Sequence, residues 1–105
     1  MKKIITWLLT LSLVFVFTAA TVATAEDAVK IGVILIHDEN TGYDFAHIQG
    51  IQKAAAAVGI AEDQIIWKYN IGENEVCYDT ATDLVDQGCS YVISDSYGHQ
   101  SYMQQ

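Results

Sequence analysis

Apolar residues run almost unbroken from Val29 to Ile36 (VKIGVILI), and β-branched side chains dominate the run. A strand wetted on one side alternates apolar with polar, whereas an unbroken run suits a strand covered on both faces, as in a parallel sheet. The pattern then breaks into HDENTGYD, a polar stretch containing glycine, which predicts a loop. From Asp44 to Val58 the residues Phe45, Ile48, Ile51, Ala55 and Val58 recur at helical spacing. That spacing predicts a helix with Asp44 as its N-cap and Gly59 as its C-cap. Gln64 to Tyr69 (QIIWKY) reads as a second strand, ended by Asn70 and Gly72.

A second helix is expected from about Glu73 to Gln87, stopped by Gly88. Val76, Thr80, Leu84 and Val85 would form its inner face, with Asp79, Asp83 and Asp86 outside. Tyr91 to Ser94 (YVIS) predicts the third strand, and Tyr97 to Gln105 the start of a third helix. Strands alternating with helices imply an α/β fold, a doubly wound parallel sheet with right-handed crossovers. The first strand, apolar throughout, belongs in the middle, giving the order second, first, third with helices on both faces. Ligands of such sheets bind beyond the carboxyl ends of the strands. Three loops converge there: His37 to Tyr43, Asn70 to Asn74, and Asp95 to His99.

The first 25 residues bear on where the chain works. Lys2 and Lys3 precede an apolar run from Ile4 to Phe17, and Ala23-Thr24-Ala25 forms an A-x-A cleavage site. Together these are the parts of a secretory signal peptide, residues 1–25, and predict export of residues 26–105. The run is shorter than the ~20 residues needed to span a bilayer. Neither cysteine is near the cleavage site, so no lipid-modified N-terminal cysteine is available. With the signal removed, three lysines face thirteen acids, and the net charge moves from −8 to −10. So acidic a chain has no patch for nucleic acid or for an anionic membrane surface. About 80 residues make a thin core for one domain, so the natural domain is expected to continue past Gln105.

Cys77 and Cys89 flank the second helix. A continuous helix of twelve residues between them separates them by roughly 18 Å. A disulfide needs Cα atoms within about 7 Å. Two separate, buried thiols are therefore expected. His37, Asp38, Glu39 and Asn40 leave the first strand together, either as contacts for a ligand or as a solvated loop. His37, Asp38 and His99 sit on neighbouring strand ends, but no histidine or cysteine pair has metal spacing, and no metal is expected. His47, one turn into the first helix, is expected to pack or cap. Tyr43 and Tyr97, at loop-to-helix junctions, suit stacking on a planar ligand, and Tyr102 suits packing. Ser94, Asp95 and Ser96 end the third strand without the G-x-S-x-G of a nucleophile elbow. No Gly-rich phosphate loop follows the first strand, which argues against a dinucleotide cofactor. Neither catalysis nor a cofactor is expected.

Two segments resemble a known family. GYDFAHIQG, Gly42 to Gly50, is similar to the stretch after the first strand in the basic membrane protein family of substrate-binding proteins, which includes purine-nucleoside receptors of ABC importers. That family often reads Gly-Trp-Thr-Tyr-Ala-His-x-x-Gly there. DQGCSYVISDSYGH, Asp86 to His99, resembles the family's third-strand segment with its Ser-Phe-Gly turn. The resemblance covers Lys30 to Gln105 and implies the first β-α-β-α-β part of a type I periplasmic-binding-protein lobe, which is Rossmann-like. It also implies a small polar, nucleoside-like ligand held by an aromatic ring and by acidic or amide side chains. Tyr43 falls where the family carries tryptophan, Tyr97 where it carries phenylalanine, and Asn40 where it carries an acidic residue. His37-Asp38-Glu39 replaces the Gly and Pro common in its first loop, and the family's lipid-attachment cysteine is missing.

The expected function is therefore that of an extracytoplasmic solute-binding protein serving the permease of an ABC transporter, touching the membrane only through it. The expected ligand contacts are Asp38, Asn40, Tyr43, Asp44, Asp95, Ser96 and Tyr97. The other expectation, from a different class, is the ligand-binding ectodomain of a sensory protein. A transmembrane segment after Gln105 would distinguish it.

Overall fold

A computed structural model describes residues 28–105, and the expected signal segment, residues 1–25, lies outside the described residues. Three strands form one parallel sheet: β1 (Ile31–Ile34), β2 (Ile65–Lys68) and β3 (Tyr91–Ser94). Their order is β2-β1-β3, with Ile31 level with both Ile65 and Tyr91. The central place of β1 follows from its composition, because only a wholly apolar strand tolerates cover on both faces. All four of its residues are buried. The outer strands are more exposed, as edges are.

Helix α1 (Gly42–Ala57) covers one face of the sheet. Ile31, Val33, Leu35 and Ile65 pack there against Ile48 and Ala55, with Ile51, Ile60 and Trp67 half-buried beside them. Helices α2 (Glu75–Asp86) and α3 (Gln100–Met103) cover the other face. Ile34, Cys77, Leu84 and Cys89 form that core, flanked by Ile66, Val92, Tyr102 and Met103. The small domain is thus doubly wound, with helices on both faces. Both thiols are free and buried in the α2 layer.

The boundaries differ from expectation where local chemistry decides them. β1 is shorter than Val29 to Ile36, since Val29 and Lys30 are exposed ahead of the ladder. Asp44 does not cap α1. Thr41 is the N-cap, with extended backbone (φ −98°, ψ 134°), and Asp44 lies inside the first turn. Val58 is the C-cap, and Gly59 follows it at φ +80°, a conformation that only glycine adopts without strain. Gly88 ends α2 in the same way at φ +91°.

The buried stripes are also rotated. On α1 it runs through Asp44, Ile48, Ile51 and Ala55, while Phe45 and Val58 are exposed. Phe45 is a quarter turn off the stripe, and Val58 has left helical geometry. On α2 the stripe is Cys77, Ala81 and Leu84, and Val76 and Val85 are exposed. Cysteine behaves as a small hydrophobe, and its burial turns the helix away from the two valines. Among the described residues no helix is long and apolar enough to cross a membrane.

Candidate functional site

The chain passes from β1 to β2 on one side and then crosses to β3 on the other. The strand order therefore reverses at the carboxyl ends of β1 and β3, where doubly wound sheets leave a crevice. All three loops expected at this end of the sheet meet there, and hydrogen bonds join them into one rim.

The first loop is tied to the second through backbone. Asn70 N–H donates to the His37 carbonyl (2.9 Å), and Ile71 N–H to that of Leu35 (2.9 Å). Asn70 reaches its position at φ +56°, the left-handed region that asparagine tolerates better than most side chains. The second loop is tied to the third by side chains. His99 is fully buried, with Nε2 2.8 Å from the Ile71 carbonyl and Nδ1 2.5 Å from Ser94 Oγ. A carbonyl only accepts, so Nε2 carries the proton, and in the neutral ring Nδ1 accepts from the Ser94 hydroxyl. The Ser94–His99 pair has the spacing of a nucleophile and its base, yet a ring with no exposure offers a substrate no approach. Ser96 Oγ donates to the Glu73 carboxylate, a second tie between these loops.

The first and third loops meet at two aspartates. Asp44 has no exposed surface. Its carboxylate accepts the His37 N–H at 3.1 Å and faces the Thr41 hydroxyl, and His37 Nδ1 lies 3.6 Å away. Asp95, 6% exposed, accepts the Ile36 N–H at Oδ1 (3.0 Å). Its Oδ2 is buried and, among the described residues, meets no N–H or hydroxyl donor. The Asp44 carboxyl lies beside that of Asp95. Two buried negative charges repel, so neighbouring carboxyls favour holding one proton between them below the raised value of Asp95. Burial, above all, pushes Asp95 up to about 6, and Asp44 adds to the rise. Burial pushes Asp44 up as well, but bonds from Asp95, Thr41 and the His37 amide outweigh it and bring Asp44 down to about 2. Of the two, Asp95 is the one whose burial and acidic neighbour favour the protonated form.

The expected contact residues separate into two sets. Asp44 and Asp95 lie beneath the surface, as the joint that holds the rim. Asp38 is half-buried and accepts the Asn40 N–H at 2.9 Å, a turn within the loop, and Asn40 is exposed. Tyr43 donates its hydroxyl to the Asp95 carbonyl, and its ring, 56% exposed, lies 4.5 Å from that of His47 at a tilt. His47 Nδ1 donates to the Tyr43 carbonyl (2.9 Å), so it belongs to the helix face, as expected. Ser96 is half-buried against Glu73. Tyr97 is 90% exposed.

His99 does not converge with His37 and Asp38, because it points into the α2 layer. Among the described residues no cluster of three potential metal ligands occurs. Glu73 was not legible from the sequence, since nothing local marks it as the partner of Ser96. It also fills the space over Gly98, where an added Cβ would lie 2.0 Å from its carboxyl carbon. Compared with known proteins, the chain matches no family model, no curated protein and no solved structure.

Proposed function

We propose that the chain is the ligand-binding part of an exported solute receptor, taking a small, polar, nucleoside-like molecule and presenting it to the permease of an ABC importer. The observation that carries this reading is Tyr97. Its ring stands 90% exposed at the strand-order reversal, at the head of a rim whose loops are already locked together. A planar base stacked on such an exposed ring is worth ~1–3 kcal/mol. The rim also favours a ligand rich in hydrogen-bond donors. Asp38, Glu39 and Glu73 lie along it, while Lys30 lies before β1, Lys53 lies within α1, and Lys68, at the end of β2, is paired with Asp83. A phosphate or carboxylate would meet an excess of like charge there.

One rim covers one side of a small molecule, whereas high-affinity sites enclose ~70–90% of it. Binding by this chain alone is therefore expected to be weak, in the millimolar range, roughly −4 kcal/mol. Amide-resonance titration with nucleosides, sugars, amino acids and a nucleotide tests the reading. Nucleosides should move Ser96, Tyr97 and Gly98, the nucleotide should not, and Tyr97→Ala should abolish the response. A panel that moves none of these resonances, or an unchanged response in the variant, defeats it.

A further inference from the structure

We propose that the Asp44–Asp95 carboxyl pair is a proton-operated latch: a proton shared between the two side chains locks the loop after β1 to the end of β3, and its loss frees that loop. The geometry has four parts. Both carboxyls are more than nine-tenths buried and in contact across 51 positions of sequence. Asp44 and Asp95 hold consecutive amides, His37 and Ile36, so the pair clamps the chain where it leaves the sheet. Tyr43, in the first turn of α1, donates to the Asp95 backbone, so the helix start moves with the clamp. Finally, among the described residues Asp95 Oδ2 has no other donor to turn to once the shared proton is gone.

The charged and titratable groups acting on the pair come from two elements. His37 of the loop faces Asp44 at 3.6 Å, and His47 of α1 acts on Asp95. Neither hydrogen-bonds a carboxyl through its ring, so neither replaces the proton. Released from β3, the loop keeps its backbone tie to the β2 loop at His37, while Asp38 and Asn40 beyond that tie gain freedom, whatever ligand the rim takes.

The sign follows from linkage. A latched Asp95 binds its proton more tightly than an open one, so the open fraction rises about tenfold per pH unit from the ordinary 3.8 to about 6, then levels off. Amide hydrogen exchange, corrected for intrinsic rate, reads this directly at Ile36 and His37. Their protection should fall from pH 4 to pH 6 and stay flat to pH 7.5, while Val33 in the sheet changes less. Asp95→Asn places an N–H donor where the proton was, and protection in this variant should not vary with pH. His37→Gln and His47→Gln should keep the parent's profile. A flat profile in the parent, or an unaltered fall in Asp95→Asn, overturns the latch. Should Asp95→Asn fail to fold, carboxyl-carbon resonances of the parent decide. One aspartate titrating near pH 6 together with the Ile36 and His37 amides supports the latch, and two carboxylates both ionised at pH 5 overturn it.

Discussion

A histidine with no access to water needs a partner for each ring nitrogen, and His99 finds them in two different segments, the loop after β2 and the end of β3. His99→Ala would leave the Ser94 hydroxyl and the Ile71 carbonyl buried without partners and open a cavity. The expected loss of stability is about 2–4 kcal/mol in urea unfolding. His99→Phe restores volume but not the bonds, so a variant as stable as the parent would show that the ring only fills space. The two aspartates act through pH instead. Asp44, lowered to about 2, adds stability above its ordinary 3.8 and loses it as pH falls through 2. Asp95, raised to about 6, adds stability below 3.8 and loses it as pH rises through 6. The two effects overlap only near pH 4, so the melting temperature should peak there and decline on both sides. A melting temperature that climbs steadily from pH 4 to 7 would contradict this pairing. These roles were hidden in the sequence because each depends on a contact dozens of residues away. Asp44 looked like a cap because capping residues are recognised by type, whereas the cap itself is set by where the backbone turns extended, at Thr41.

Between strand and helix, the fit is tight at Gly32. A Cβ there would lie 2.7 Å from Leu84 Cδ1, so α2 approaches β1 only because that position has no side chain. Gly32→Ala should cost about 1–3 kcal/mol through overpacking. The penalty should shrink in a Leu84→Ala background, where the methyl group has room. Equal penalties in both backgrounds, measured by denaturant unfolding, would place the strain elsewhere. The strands and helices themselves were legible from period alone, because an apolar run and an i, i+4 spacing each report a geometry that burial enforces. Rotation of the helices was not. Val76 and Val85 outrank Cys77 on hydrophobicity, yet Cys77 and Leu84 share the face that meets β1, and the two valines fall about a quarter turn to either side. A one-dimensional pattern gives the width of a stripe more securely than its centre, since the partner surface chooses among neighbouring rows.

At the scale of the molecule, the described residues leave one part of the sheet uncovered. α1 joins β1 to β2 and packs over them, and α2 and α3 lie on the opposite face. Register puts Tyr91 and Ile93 level with Ile31 and Val33, on the α1 side but beyond the helix, and they are 62% and 39% exposed. β2, the other edge, ends in Lys68, which lies 3.6 Å from Asp83, whereas β3 carries no charge. An apolar, uncharged edge invites pairing with another strand. The net charge of −8 opposes contact between copies, and salt weakens that repulsion, with a screening length of ~10 Å at 0.1 M. Self-association should therefore be slight at low ionic strength and grow as salt is added, opposite to an assembly held by ion pairs. Ile93→Lys places a charge on the edge at a half-exposed site, so it should suppress association while leaving stability within about 0.5 kcal/mol. Sedimentation velocity over a range of concentration and salt measures both. A parent that stays monomeric at high salt, or a lysine variant that associates as readily as the parent, would mean the β3 edge is protected in a way its sequence and exposure do not reveal.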